Sequence, residues 1–164
     1  MRQHLYQSPS RWHRCAPKKG EQAIGIRRGG RTTKIHAIVA DVDLPIVHPL
    51  SPGSASDDPE GQKLMPKVPK KIRKGKPLIM DKAYEGDQCR KKARSCGMRP
   101  VVPPKSHRLK PWRYDKELSK QRYIVECHFR NIKQYRRVFT RYDKLDETDN
   151  AFIVIAQVCR LLRN

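Results

Sequence analysis

The most constraining feature of the chain is the stretch formed by residues 115–142, DKELSKQRYIVECHFRNIKQYRRVFTRY. At 100° per residue, Leu118, Val125, Phe129, Ile132 and Phe139 fall within about 60° of a common direction, the periodicity of a helix laid on a core. The pattern predicts one long helix, with Asp115 as its cap. Arg122, Glu126, Arg130, Lys133 and Arg137 occupy the neighbouring sector, so a single carboxylate stands among cations. Taken alone, that is a solvated face with an i,i+4 ion pair between Arg122 and Glu126. A second carboxylate presented from a strand would turn it into a site.

With 164 residues, 37% of them hydrophobic, the chain can bury one core. Its 37 Lys and Arg against 16 Asp and Glu give a formal charge of +21, which points to a polyanionic partner, with nucleic acid the first candidate. An anionic membrane surface competes poorly. The longest apolar run, residues 151–156, is too short to span a bilayer, and no basic amphipathic anchor or signal-peptide h-region stands out. Five cysteines, odd in number and without a C-x-x-C pair, indicate neither a disulfide framework nor a zinc site. Cysteine usage of this kind suits the cytosol.

Residues 1–20 show neither helical nor strand period and read as irregular; they also contain no Asp or Glu. His4, His13 and Cys15 fit no standard metal-ligand spacing, and a polar tail is favoured over a metal site. Residues 27–34, RRGGRTTK, form a basic turn leading into a strand over 32–40. There Thr33, Ile35, Ala37 and Val39 share one face, and Lys34, His36, Ile38 and Ala40 the other, a mixed polarity suited to a sheet covered on one side. Gly29 and Gly30 could cradle a phosphate, but no P-loop lysine and serine follow, and a simple turn is favoured. Residues 45–50 return as the second strand of a hairpin, with Pro45 and Pro49 suited to an edge. A loop over 51–58 ends in N-cap residues, and a short helix over 59–65 stops at Pro66. Residues 67–76 carry six cations in ten positions, consistent with a solvated or a phosphate-contacting loop.

Residues 77–80 then make a short buried strand that ends at Asp81, followed by a helix that Gly97 closes and another strand over 98–103: a parallel β-α-β crossover. Asp81 therefore sits at the carboxyl end of a strand, where open α/β sheets place their ligands; as a helix cap it would be equally at home. After a basic, proline-containing loop and the long helix, residues 147–162 form a final helix. It is apolar nearly all round and expected to be buried or packed in an interface.

In order, the segments TTKIHA, SPGSASD and LIMDKAYEGD, the PVVPPK loop, and Arg122, Glu126 and Lys133 at three and six intervening residues followed by TRYDK resemble the transposases of bacterial insertion sequences with a DDE catalytic core. The resemblance runs from about Lys18 to the end of the sequence. It implies an α/β domain of RNase H-like fold, a five-stranded mixed sheet flanked by helices, over residues 17–164. It also implies an activity: metal-dependent phosphodiester cleavage and strand transfer at insertion-sequence ends. Such chemistry needs an activated water and a stabilised leaving oxygen, which two Mg²⁺ ions held by carboxylates supply. By resemblance, Asp81 is the second acidic residue and Glu126 the third, both catalytic and metal-binding. Arg122 and Lys133 are the basic partners of that glutamate near the DNA phosphates. Arg130, Arg137, Lys82, Arg31 and Lys34 are assigned to DNA as further phosphate contacts.

Two departures qualify the expectation. The tyrosine that should precede Arg122 by three residues is Ser119. The first catalytic aspartate should lie on a first, central strand, and residues 1–16 hold no carboxylate; Asp41 and Asp43, in a hairpin turn, are poor substitutes. The sequence therefore predicts a truncated or out-of-frame start, no regular first central strand, unpartnered amides beside the hairpin, and a chain unable to cleave DNA by itself. The expected partners are DNA and either a second copy or an upstream transposase segment. Two alternatives stand beside this reading. One is a non-catalytic basic DNA-binding remnant that modulates an intact transposase; the other, an RNA-associated basic protein, leaves the ordered landmarks unexplained.

Overall fold

The computed structural model describes residues 2–7 as backbone, and residues 20–28 and 30–163 in full. The described residues form seven strands and seven α-helices: β1 (Arg2–Gln7), β2 (Gly25–Arg27), β3 (Gly30–Asp41), β4 (Leu44–Val47), β5 (Leu50–Pro52), α1 (Asp57–Leu64), α2 (Lys70–Arg73), β6 (Pro77–Ile79), α3 (Asp87–Ser95), β7 (Arg99–Val101), α4 (Lys116–Lys120), α5 (Tyr123–Ile132), α6 (Arg136–Phe139) and α7 (Asp146–Leu161).

The 12-residue β3 is the axis of the molecule. Its alternation separates two cores. Ile35 and Ala37 pack with Val125, Phe129, Ile132, Val138, Ile153 and Ala156 of α5 to α7. Ile38 packs on the other side with Leu64 of α1, Leu78 and Met80 at β6, and Cys89 and Ala93 of α3. The sheet is thus covered on both faces, not on one as the polarity of Lys34 and His36 suggested. Both residues are buried because each finds partners: Lys34 Nζ donates to the Ala55 carbonyl at 2.6 Å and to Asp57 at 2.8 Å. His36 lies 2.8 Å from both the Tyr84 and the Ser51 hydroxyls. A buried polar group so satisfied costs little, which is how a strand of mixed polarity becomes central.

The hairpin of β3 with the returning strand is present. The return is split at residues 48 and 49 into β4, which pairs with Ile38, Val39 and Asp41, and β5, which pairs with Thr33 to Ile35. At the end of β5, the Gly53 amide donates to the Thr32 carbonyl, and a Cβ there would come within 1.8 Å of Thr32 Oγ1, so only glycine permits the approach.

Residues 2–7 are a strand, contrary to the irregular expectation. β1 runs antiparallel to β3 from Arg2 opposite Ala37 to Gln7 opposite Thr32. Ile35 pairs with His4 and with Leu50, so β1 lies on the edge of β3 opposite β5. The cause is tertiary: an open edge of a long buried strand captures a backbone with no β pattern of its own, because unpaired amides there would be costly. The rest of the expected tail, including His13 and Cys15, lies outside the described residues.

The β-α-β crossover also forms, with β6 and β7 parallel and α3 between them; Gly97 closes α3 at φ 79°. Yet β6 and β7 pair only with each other among the described residues, so the expected five-stranded mixed sheet is two sheets: five antiparallel strands and two parallel ones.

The long helix of residues 115–142 is three helices. No proline or glycine causes the breaks. A continuous helix would turn Val138 about 240° away from Ile132, off the core face. An extended Tyr135 (φ −84°, ψ 119°) resets the phase. Val138 is thereby 1% exposed, whereas Phe139, in the expected apolar stripe, is 60% exposed.

Candidate catalytic site

Asp81 follows β6 directly. The Met80 amide still donates to Val101, extending the parallel ladder by one bond, and the chain then leaves the sheet. Asp81 Oδ1 accepts from the Lys82 amide at 2.8 Å and caps a 3₁₀ turn, Lys82–Tyr84, where the sequence suggested the start of the longer helix; α3 begins only at Asp87. The same oxygen accepts from Arg122 Nη1 at 3.0 Å. Arg122 stands at the N-cap of α5, and its Nε lies 3.5 Å from Glu126 Oε1 in the first helical turn. One guanidinium thus joins the carboxylate of the small sheet to the carboxylate of the helix. The cap and the site are not alternatives for Asp81, which serves as both.

All three side chains are about one-third exposed, so the pairs are screened and contribute little to stability, on the order of 1 kcal/mol or less each. Their weight is positional. Beside them lies a cleft of about 340 Å³ between β3 and β6, lined by Ile38, Val39, Leu78, Arg122 and Val125.

Among the described residues, no group of three His, Cys, Asp or Glu side chains converges. Two carboxylates suffice for one hard cation whose remaining ligands are water and phosphate oxygens, but they fall short of a bridged pair of ions. Arg122 already occupies the space between them. Neither Asp41 nor Asp43 joins Asp81 and Glu126 in such a group: Asp43 accepts from Arg160 at 3.1 Å and from Asn131, and Asp41 is exposed, accepting from the Val42 amide.

The expected phosphate contacts divide. Lys133 caps the C-terminal end of α5, two turns from Glu126 and on the same side. Arg130 and Lys82 are exposed, and Arg31 is half-buried at the start of β3. Arg137 is half-exposed and held by Asp143 at 2.9 Å, with its guanidinium over the Phe152 ring. Lys34 is a correction. With 3% exposure and a 2.8 Å bond to Asp57, it is a core cation and does not reach a phosphate.

Arg141, from the TRYDK segment, was not singled out, and it is the largest fully buried side chain among the described residues. It donates to the Asp143 and Lys144 carbonyls, to Thr33 Oγ1 at 3.0 Å and to Asp146 at 2.6 Å; Asp146 in turn accepts from the Ala23 amide. This ties Thr33 of β3, and Ala23 ahead of β2, to the start of α7. Trp112 was also missed. Its Nε1 donates to the Val102 carbonyl, and its ring centroid lies 3.4 Å from the Arg90 guanidinium and 4.7 Å from that of Arg108, pinning the basic loop after β7. A lone arginine or tryptophan in a basic loop carries no such signal in sequence.

The family with the description "Transposase DDE domain" matches residues 6–161, nearly the whole chain. The chain belongs to the transposase DDE domain family. It is similar to a Brucella ovis protein assigned as a transposase for insertion sequence element IS6501, at 29% identity over 130 residues, which cover 76% of this chain and 94% of the relative. No solved structure matches. In this member of the transposase DDE domain family, the two carboxylates that share Arg122 are the two that the sequence resemblance selected. No described helix is long and apolar enough to cross a membrane.

Proposed function

We propose that residues 17–164 form an RNase H-like domain that acts on DNA at insertion-sequence ends, with Asp81 and Glu126 as its acidic residues and Arg122, Lys133, Arg130 and Lys82 facing phosphates. The observation that carries this is the bridge from Arg122 to both Asp81 and Glu126, which brings residues 41 and 45 positions apart in two elements to one point. Layers of helices on both faces of β3 are consistent with such a domain. A Mg²⁺ ion bound there would polarise a phosphodiester; the chain's own part is to present two carboxylates, to set Arg122 against phosphate oxygens, and to hold DNA by its charge of +21.

A second reading is favoured by the donor set itself. Two carboxylates, both engaged by one guanidinium, fall short of the donor set that two-metal cleavage needs, and a basic DNA-binding role carried by the chain's exposed cations, which modulates an intact transposase, needs no third acid. Incubation of the chain with supercoiled DNA and with insertion-end duplexes, in Mg²⁺ or Mn²⁺, separates the two. The expected result is salt-steep binding, unaffected by Asp81→Ala, without strand cleavage. Metal-dependent nicking that Asp81→Ala abolishes would establish an active nuclease in this chain alone.

A further inference from the structure

Residues 102–115 join β7 to α4 without regular secondary structure, a length at which a loop in a compact domain is usually functional. Leu109 stands near the tip, 97% exposed, more than any other large hydrophobic side chain among the described residues. A lone exposed leucine ordinarily means little. This one sits on a loop that is held from several sides. The Lys105 amide donates to Glu85 at 3.0 Å, and the Arg108 amide donates to the Lys105 carbonyl, closing a turn just before the tip. Beyond the tip, Trp112 is bonded to the Val102 carbonyl and covered by Arg90. The side chains of Lys105 and Arg108 are engaged by Glu85 and Asp87, so they act as anchors. Lys110 and Arg113 differ: both are exposed and have no partner among the described residues.

We propose that Leu109 is a wedge that enters duplex DNA between two base pairs, while Lys110 and Arg113 take the neighbouring phosphates. Leucine is among the side chains that part a base step and kink the duplex. Insertion needs an apolar tip that does not fold back under load, and the contacts of Glu85, Asp87 and Trp112 brace it. Position supports the same use. Because β6 and β7 are parallel, Asp81 and Val102 leave the small sheet at the same end, and Glu85, just past the turn that Asp81 caps, holds the loop there. A kink at Leu109 therefore falls at the end of the sheet where Asp81 stands. A cationic loop with an apolar tip also suits an anionic membrane, but one leucine buries too little to anchor this chain there. The inference rests on the reading of the chain as one that acts on DNA, and it does not require cleavage.

Binding of the whole chain to two duplexes of about 30 base pairs, identical except for one central mismatch, tests it in EDTA, where no strand is cut. The mismatch removes part of the unstacking cost. The chain is expected to prefer that duplex by about tenfold and to brighten a fluorescent adenine analogue placed beside the mismatch. Leu109→Ala should abolish both effects while keeping the salt slope of binding and the urea midpoint, and Leu109→Phe should retain them. Lys110→Ala should keep the preference and lower the slope by about one. Equal binding to the two duplexes, or a preference that Leu109→Ala leaves intact, would overturn the wedge while DNA binding stands. No binding to either duplex would overturn the DNA reading and the wedge with it. Leu109-dependent binding to phosphatidylserine vesicles, without preference between the duplexes, would assign the loop to a membrane and overturn the proposal.

Discussion

Arg122 Nη1 lies 3.0 Å from Asp81 Oδ1, and the Nε of the same guanidinium lies 3.5 Å from Glu126. The cation joins the two carboxylates, and its removal leaves two like charges near one another. Arg122→Ala is therefore expected to tighten Mn²⁺ binding by about three- to tenfold, as measured by calorimetric titration, with a stability change under about 1 kcal/mol because all three groups are part-exposed. Weaker Mn²⁺ binding in the variant would mean that Arg122 orders the carboxylates for a cation and does not compete with it.

Arg141 presents the opposite case, a cation with no exposure held by four acceptors. Truncation to alanine takes the guanidinium away from Asp146 and from the buried Asp149, 4.0 Å from it, and removes the tie between Thr33 and α7. Arg141→Ala should cost about 3–5 kcal/mol in urea unfolding. Thr33→Val, which removes one acceptor, should cost about 1 kcal/mol.

Burial holds His36, His48 and His128 below the ordinary imidazole pKa; nearby Asp57 and Glu60 oppose the shift at His36, and the Val42 carbonyl opposes it at His128. His128 donates through Nδ1 to that carbonyl, and its buried Nε2 has no partner among the described residues to accept a second proton's hydrogen bond. These groups bind protons more readily in the unfolded chain. Stability is then full above the unfolded pKa of about 6.5 and declines as pH falls from there through the lower folded values. Urea midpoints taken between neutral and mildly acid pH should show that decline, and His36→Gln should make it shallower.

Cations on the surface and in the core should separate in DNA binding. Arg130→Ala is expected to leave stability nearly unchanged and to reduce the salt slope of DNA affinity by about one. Lys34→Ala should leave that slope alone and lower the urea midpoint, because it removes a buried cation bonded to Asp57 at 2.8 Å and to the Ala55 carbonyl. Equal effects on the slope would place Lys34 at the DNA after all.

The sequence made legible what local pattern controls: the β3 hairpin, the crossover from β6 to β7, α7, and the pairing of Arg122 with Glu126 at helical spacing. It did not reveal what depends on distant partners. No period marks residues 2–7 as a strand, because β3 supplies the reason for it. Nothing near Tyr135 signals a break, because the demand comes from Val138 entering a core that α7 helps to build. The burial of Lys34 likewise depends on Asp57, 23 residues away. Side-chain truncation shows the difference directly: Val138→Ala should cost about 2 kcal/mol, and Phe139→Ala, on the stripe that a straight helix would bury, within about 0.5 kcal/mol.

The separation of the two sheets has a mechanical meaning for the site. Asp81 rides on the two-stranded sheet, and Glu126 rides on the helix packed over β3, with no backbone ladder between these bodies among the described residues. The gap between the two carboxylates is consequently not a fixed dimension of the scaffold. It behaves as a caliper, closed by packing around Ile38 and clasped by a single guanidinium, and whatever draws Arg122 toward a phosphate also loosens the jaws.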